Sequence, residues 1–145
     1  MKKIVRRVLI VGVILGVLIQ VVPVNRKNPP VTRDIAAQPA VAAILRTSCY
    51  DCHSNETRWP FYSYIAPVSW LVTGDVKTGR RQMNFSQWDA YSKAEQKSFP
   101  SRIYGIISDK MMPLPKYLLP HPYARLDSLK VEVLHRWSLS LPNTI

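Results

Sequence analysis

Both cysteines of this chain fall in one run of five residues, Cys49-Tyr50-Asp51-Cys52-His53. That placement constrains the fold before anything else does. Two cysteines three positions apart close no long loop, so a disulfide framework is out of reach. The chain has 145 residues, enough for one small domain and an appendage. A domain of that size buries a modest core. Its stability must come from packing, or from a large apolar group held in its middle.

The run also has a geometric meaning. On one helical turn the two thiols face the same way, and each can form a thioether with one vinyl group of a porphyrin. The next residue, His53, then projects under the iron as the proximal ligand. This is the pattern of c-type haem attachment, with haem c as the cofactor. A zinc site would need a further thiol or imidazole at short spacing. No third cysteine exists, and His121 and His135 lie 68 and 82 positions beyond His53. A thioredoxin-like pair would follow a strand, whereas a helical pattern precedes this one.

A sixth ligand is open on the sequence. A methionine thioether is a soft donor that favours ferrous iron and raises the potential. Met112, followed at once by Pro113, is the leading candidate. Its neighbour Met111 has the same reach. His121, between Pro120 and Pro122, would give a bis-histidine centre of lower potential. Trp59, Phe61, Tyr64 and Trp70 are expected around the haem cavity. Arg80, Arg81 and Asn84 are candidate donors to the haem propionates, which are buried anions in need of partners.

The N-terminus carries its own signal. Val8 to Val24 contains no charge, with Gln20 its one polar side chain. Lys2, Lys3, Arg6 and Arg7 precede it, and Arg26 and Lys27 follow. Extended by Ile4 and Val5, the segment reaches the about 20 residues a spanning helix needs. The excess of positive charge before it puts the N-terminus in the cytoplasm and the rest on the periplasmic side of the inner membrane. No Ala-x-Ala-like site follows, which favours an anchor over a cleaved signal. Residues 1–24 are thus expected to be a transmembrane helix, 25–34 an extended linker lifting the domain off the membrane, and 35–145 the haem-binding domain.

The charge is lopsided, with twenty Lys and Arg against nine Asp and Glu. The excess suits docking to an acidic partner. Nucleic acid is not expected, because no compact basic run or binding motif accompanies the charge.

Along the domain the apolar spacing is helical. Pro39 suits a first helical position, with Val41, Ile44, Leu45 and Ser48 on one face running into the motif. Arg58 to Tyr64 reads as an irregular loop. Pro67 opens a second helix with Val68, Leu71, Val72 and Val76 at helical spacing, ending near Gly79-Arg80-Arg81. Ser86 is expected to cap a short turn bearing Trp88 and Tyr91. Ser92 and Glu95 form a capping-box pattern, before a helix carrying Phe99, Ile103, Ile106 and Ile107 with a kink at Pro100. Met111 to Pro115 cannot be helical. Asp127 caps a last helix, with Leu126 and Val131 at staple positions. Leu129, Val133 and Trp137 share its face, widened by Leu134 and Leu141. The fold class is all-α: a cytochrome c-like bundle of short helices around one covalently bound haem, preceded by a single transmembrane helix.

Two stretches, Ser48 to Trp88 and Met112 to Asp127, resemble the bacterial haem-binding domain family of small membrane-anchored monohaem proteins. The likeness spans roughly residues 28 to 140. It implies haem binding and electron transfer, and its Met-Pro motif maps onto Met112-Pro113. Met111 departs from the family, which commonly has an acidic residue there. The leading functional expectation is a membrane-tethered electron carrier serving a redox protein or a respiratory or photosynthetic complex. The competing one is a haem enzyme or gas sensor, peroxidase-like, with a displaceable sixth ligand.

Overall fold

The computed structural model describes residues 2–140. Leu141 lies outside the described residues. Among them the chain forms seven α-helices and no strand; one isolated bridge pairs Arg33 with Gln87. The first helix, α1 (Lys2–Leu18), continues as a 3-10 turn, Ile19–Val21. Together they make one 20-residue helix, mean hydropathy 2.3 over its apolar window, long and apolar enough to cross a membrane. None of α1 is buried.

The segment after it does not stand off from the domain. Asn28 Nδ2 donates to Thr57 O, and Trp59 Nε1 donates to Asn28 Oδ1. The Thr32 and Arg33 amides donate to Ser86 O, and Trp88 N–H donates to Arg33 O. Polar side chains and free backbone groups that suit a linker also suit a strap, because each needs a partner.

The core gathers where α2 (Pro39–Ser48), α5 (Lys93–Ser108) and α7 (Ser128–Ser140) meet. Val41, Ile44, Leu45, Phe99, Ile103, Ile107, Leu134 and Trp137 are buried there, together with Phe85 and Trp88 from the intervening loop. Burying one such side chain stabilises by about 1.5–3 kcal/mol. Aromatic rings run through it: Tyr50 stacks on Phe85 at 5.1 Å, and Trp88 packs on Phe99 at 5.3 Å.

The local signals at helix starts are realised. Pro39 opens α2. Ser92 and Glu95 form the full capping box of α5. Asp127 Oδ1 accepts from Lys130 N–H at the start of α7, and Leu126 and Val131 pack against the core. α5 runs on through the buried Pro100.

Other expectations fail for tertiary reasons. The motif does not continue α2: Cys49 (φ −127°) interrupts, and Tyr50–His53 forms a separate single turn, α3. Ser86 caps nothing at Trp88–Ala90; it is buried and its Oγ accepts from Asn55 N–H at 3.0 Å. Phe61–Tyr64 is a 3-10 turn and not irregular. The second helix forms as α4 (Val68–Gln82), but of its apolar stripe only Val76 is buried, alongside Ser69 and Gly79. Leu71 and Val68 are exposed because this part of α4 borders open cavities. Of the face expected on α7, Leu134 and Trp137 are buried, together with Ser138, but Leu129 is exposed.

Candidate functional site

The site is built outward from α3. The backbone N–H groups of Cys52 and His53 donate to Cys49 O at 3.2 and 2.9 Å. This one turn holds both thiols and the imidazole in a single local frame. α4 lies directly against it at Gly79. A Cβ there would come within 2.6 Å of Cys52 O and 3.0 Å of Cys52 Cβ, so only glycine permits the approach.

His53 has a fixed tautomer. Its Nδ1–H donates to Met83 O at 3.1 Å, which leaves Nε2 with a free lone pair. A backbone carbonyl on the far ring nitrogen is the usual way a ligating histidine is oriented. Burial holds its pKa below the ordinary histidine value, with the carbonyls of Met83 and Gly79 opposing. The ring is therefore neutral near pH 7, as a ligand must be.

Both thiols are raised above the ordinary cysteine value, chiefly by burial. Burial, then Cys52, pushes Cys49 up to about 12. Burial, with Asp75 and Asp51 adding, pushes Cys52 up to about 11. Redox-active Cys-x-x-Cys pairs work the other way, with a lowered pKa.

Asp51, between the cysteines, anchors the turn to its surroundings. Its carboxylate accepts from Arg58 Nε at 3.2 Å and from Tyr117 Oη at 2.8 Å. Burial and this bond hold the Tyr117 hydroxyl well above its ordinary pKa. Tyr117 belongs to the short helix α6 (Pro115–Leu118), so Asp51 ties the motif to the chain just after Met112.

These groups open onto a cavity of about 680 Å³. Cys49, Cys52 and His53 lie on its wall, as do Trp70 and Leu71 of α4, Ile103 and Ile106 of α5, and both Met111 and Met112. Met112 is 37 % exposed and Met111 62 %.

Not every expected residue reaches this cavity. Trp59 is turned to Asn28. Arg80 donates to Ser54 O, Thr57 Oγ1, Asn28 Oδ1 and Lys27 O, clasping the strap to the loop after the motif. Arg81 is exposed and reaches Thr78. Asn84 is buried in a polar knot, donating to Asn55 Oδ1 while its Oδ1 accepts from Ser86 N–H. Phe61 and Tyr64 are exposed and lie off this cavity.

His121 is buried beside a second cavity of about 310 Å³. Its ring stacks on Tyr117 at 4.2 Å. Nδ1–H donates to Tyr117 O at 3.0 Å, and Tyr62 Oη donates to Nε2 at 3.3 Å. Both nitrogens are thus engaged.

Two residues on the site escape a reading by motif. Gly79 gives no chemical signal. Arg102 is the one arginine on the main cavity wall, and it does leave a trace: it sits three positions after Phe99 and four before Ile106, on the α5 stripe that borders the cavity.

The residues fit a haem. The walls are apolar, two thiols and one oriented imidazole share a turn, and thioethers stand on the same cavity. No group of three or more His, Cys, Asp or Glu among the described residues could hold a metal by itself, so iron here would depend on a porphyrin for most of its ligands.

A helical shell around an apolar cavity with this donor set defines a haem protein. The chain matches the haem-binding domain family over residues 14–139, and it belongs to that family. No curated protein and no solved structure gives a match.

Proposed function

We propose that this chain is a membrane-anchored monohaem c-type cytochrome that passes electrons to or from a protein partner outside the cytoplasmic membrane. The observation that carries this reading is the placement of Cys49, Cys52 and a tautomer-fixed His53 on one turn facing one cavity. In it, Cys49 and Cys52 hold haem c by thioethers and His53 is the proximal ligand. Met112 supplies the sixth ligand: it is on the same cavity as His53, whereas His121 is on the other and has both nitrogens engaged. Met111 shares the wall but is the more exposed of the pair.

When bound, the haem supplies a one-electron couple tuned by its axial ligands and surroundings. The protein's part is to orient and to exclude water. Met83 O fixes the His53 ring, Gly79 admits α4 against Cys52, and Trp70, Leu71 and Ile106 keep the cavity apolar. Arg102 takes the propionate-facing role expected of Arg80 and Asn84, which are engaged elsewhere, and of Arg81, which does not line the main cavity. α1 is the anchor, with the basic N-terminus on the cytoplasmic side. No second histidine lines the main cavity to act as a distal acid or base, which favours a carrier over a peroxidase-like enzyme.

Optical spectra of the oxidised and reduced full-length protein test this reading. A six-coordinate low-spin spectrum with the weak far-red band of methionine-ligated ferric haem is expected, lost in Met112→Ala. A five-coordinate resting spectrum, or rapid carbon monoxide binding by the reduced wild type, would overturn it in favour of a haem enzyme or sensor.

A further inference from the structure

Two groups stand out among the exposed apolar side chains of the domain. Trp70, Leu71, Met111 and Met112 border the main cavity, where a haem would cover them. Phe61, Tyr64 and Ile65 border neither cavity, and Phe61 is 79 % exposed. These side chains stay exposed in the folded chain, and they lie off the cavity that a haem would fill.

Its position is set by the end of the apolar helix. Gln20 is the next-to-last residue of the 20-residue span Lys2–Val21. Its side-chain amide is paired twice with one backbone unit: Nε2 donates to Ala66 O at 3.1 Å, and Ala66 N–H donates to Oε1 at 2.9 Å. Ala66 therefore stands one side chain away from the end of the span. Phe61, Tyr64 and Ile65 come just before it in the chain. Arg26 joins them: its guanidinium lies 4.3 Å over the Tyr64 ring, and its NH1 donates to Ser63 O at 3.2 Å.

We propose that Phe61, Tyr64 and Ile65, with Arg26, form a docking surface for the bilayer that α1 spans. This rests on reading α1 as a membrane anchor. Where a spanning helix leaves the hydrocarbon, rings with one apolar and one polar end settle at headgroup depth. Tyr64 has that character, and Phe61 and Ile65 supply the apolar area. Arg26 is placed to meet lipid phosphates from the same level. Continuity with the span selects lipid over a protein partner or a second copy, because the double pairing at Gln20 leaves the patch beside the membrane surface.

The consequence is a fixed orientation for the haem site. α4 begins at Val68, two residues after Ala66, and runs to Gly79, where it meets Cys52. At 1.5 Å per residue that is roughly 16 Å of helix. α4 then acts as a strut that holds the motif at a set height above the bilayer, and the strap clasped by Arg80 prevents the domain from swinging.

The test uses full-length protein in its native membrane. Photo-reactive benzoylphenylalanine replaces Phe61, Ile65 or, as a distant exposed control, Leu129. After irradiation, adducts are identified by mass spectrometry, and membranes are separately extracted with alkaline carbonate. Lipid adducts at 61 and 65 but not at 129 are expected, with the chain resisting extraction. If the chain resists extraction but 61 and 65 cross-link to protein, or to nothing, docking is wrong and anchoring stands. If carbonate releases the chain, the anchor reading fails and the docking proposal falls with it.

Discussion

The two sides of the main cavity are built differently. On the attachment side, every element is locked: Cys49 to His53 is a closed turn, His53 is bound to Met83 O, Gly79 is pressed on Cys52, and Phe85 beneath is fully buried. On the other side, Met111, Met112 and Ile106 are exposed. In the proposed reading the protein alone organises the proximal half, and a bound haem would complete the distal half. The proposed covalent attachment would suit such a division, because it would hold the cofactor on the side the protein already packs tightly.

The largest expected effect comes from removing the locked side. Cys49→Ser with Cys52→Ser should abolish covalent attachment, and the purified protein should carry haem substoichiometrically or not at all, read as the ratio of haem to protein absorbance. Gly79→Ala comes next. Forcing a methyl group against Cys52 should destabilise by about 1–3 kcal/mol, the usual range for overpacking, measured by denaturant unfolding of the holoprotein. An unchanged midpoint would show that α4 can retreat from the motif and that this side is not locked.

Met112→Ala should behave in the opposite way. Attachment should survive, the far-red band should vanish, and the reduction potential should fall as a soft donor is lost. If Met111→Ala does this and Met112→Ala does not, the distal ligand is misassigned while the contrast between the sides holds.

These differences also mark what the sequence could disclose. The Cys49–His53 turn, the Ser92–Glu95 box and the Asp127 cap are local, so their partners lie within a few residues and the pattern is visible in the chain. Arg80 and Asn84 are engaged away from the main cavity, and the sequence does not show this because charge and polarity announce a need for partners without naming them. Their partners, Asn28, Thr57 and Asn55, come from distant segments. Leu71 and Val68 were correctly seen as one apolar stripe of α4, yet periodicity does not say whether a stripe meets a helix, a cofactor cavity or a membrane. Gly79 was invisible because its function is the side chain it lacks.

A region remote from both sides sets the lower bound. Ser92→Ala removes the cap of α5 and should cost about 1 kcal/mol, read as a shift in thermal midpoint without any change in the haem spectrum. The smallest effect is on pH. Hydrogen bonds from the Ser92 side chain and backbone hold the Glu95 carboxyl below its ordinary pKa. That contribution is present above the unfolded-state value and is lost as pH falls through the depressed folded value. Glu95→Gln should lower stability slightly at neutral pH and leave the acid region nearly unchanged, flattening the acid limb of the profile, read as denaturant midpoints against pH.

The central claim is that the proximal side of the cavity holds haem covalently through Cys49 and Cys52. The most direct test is the mass of the exported full-length protein after denaturation and acid–acetone extraction. The account predicts one haem retained, with fragments placing it on the Cys49–His53 peptide. Protein at its bare polypeptide mass, with the haem in the extract, would contradict it.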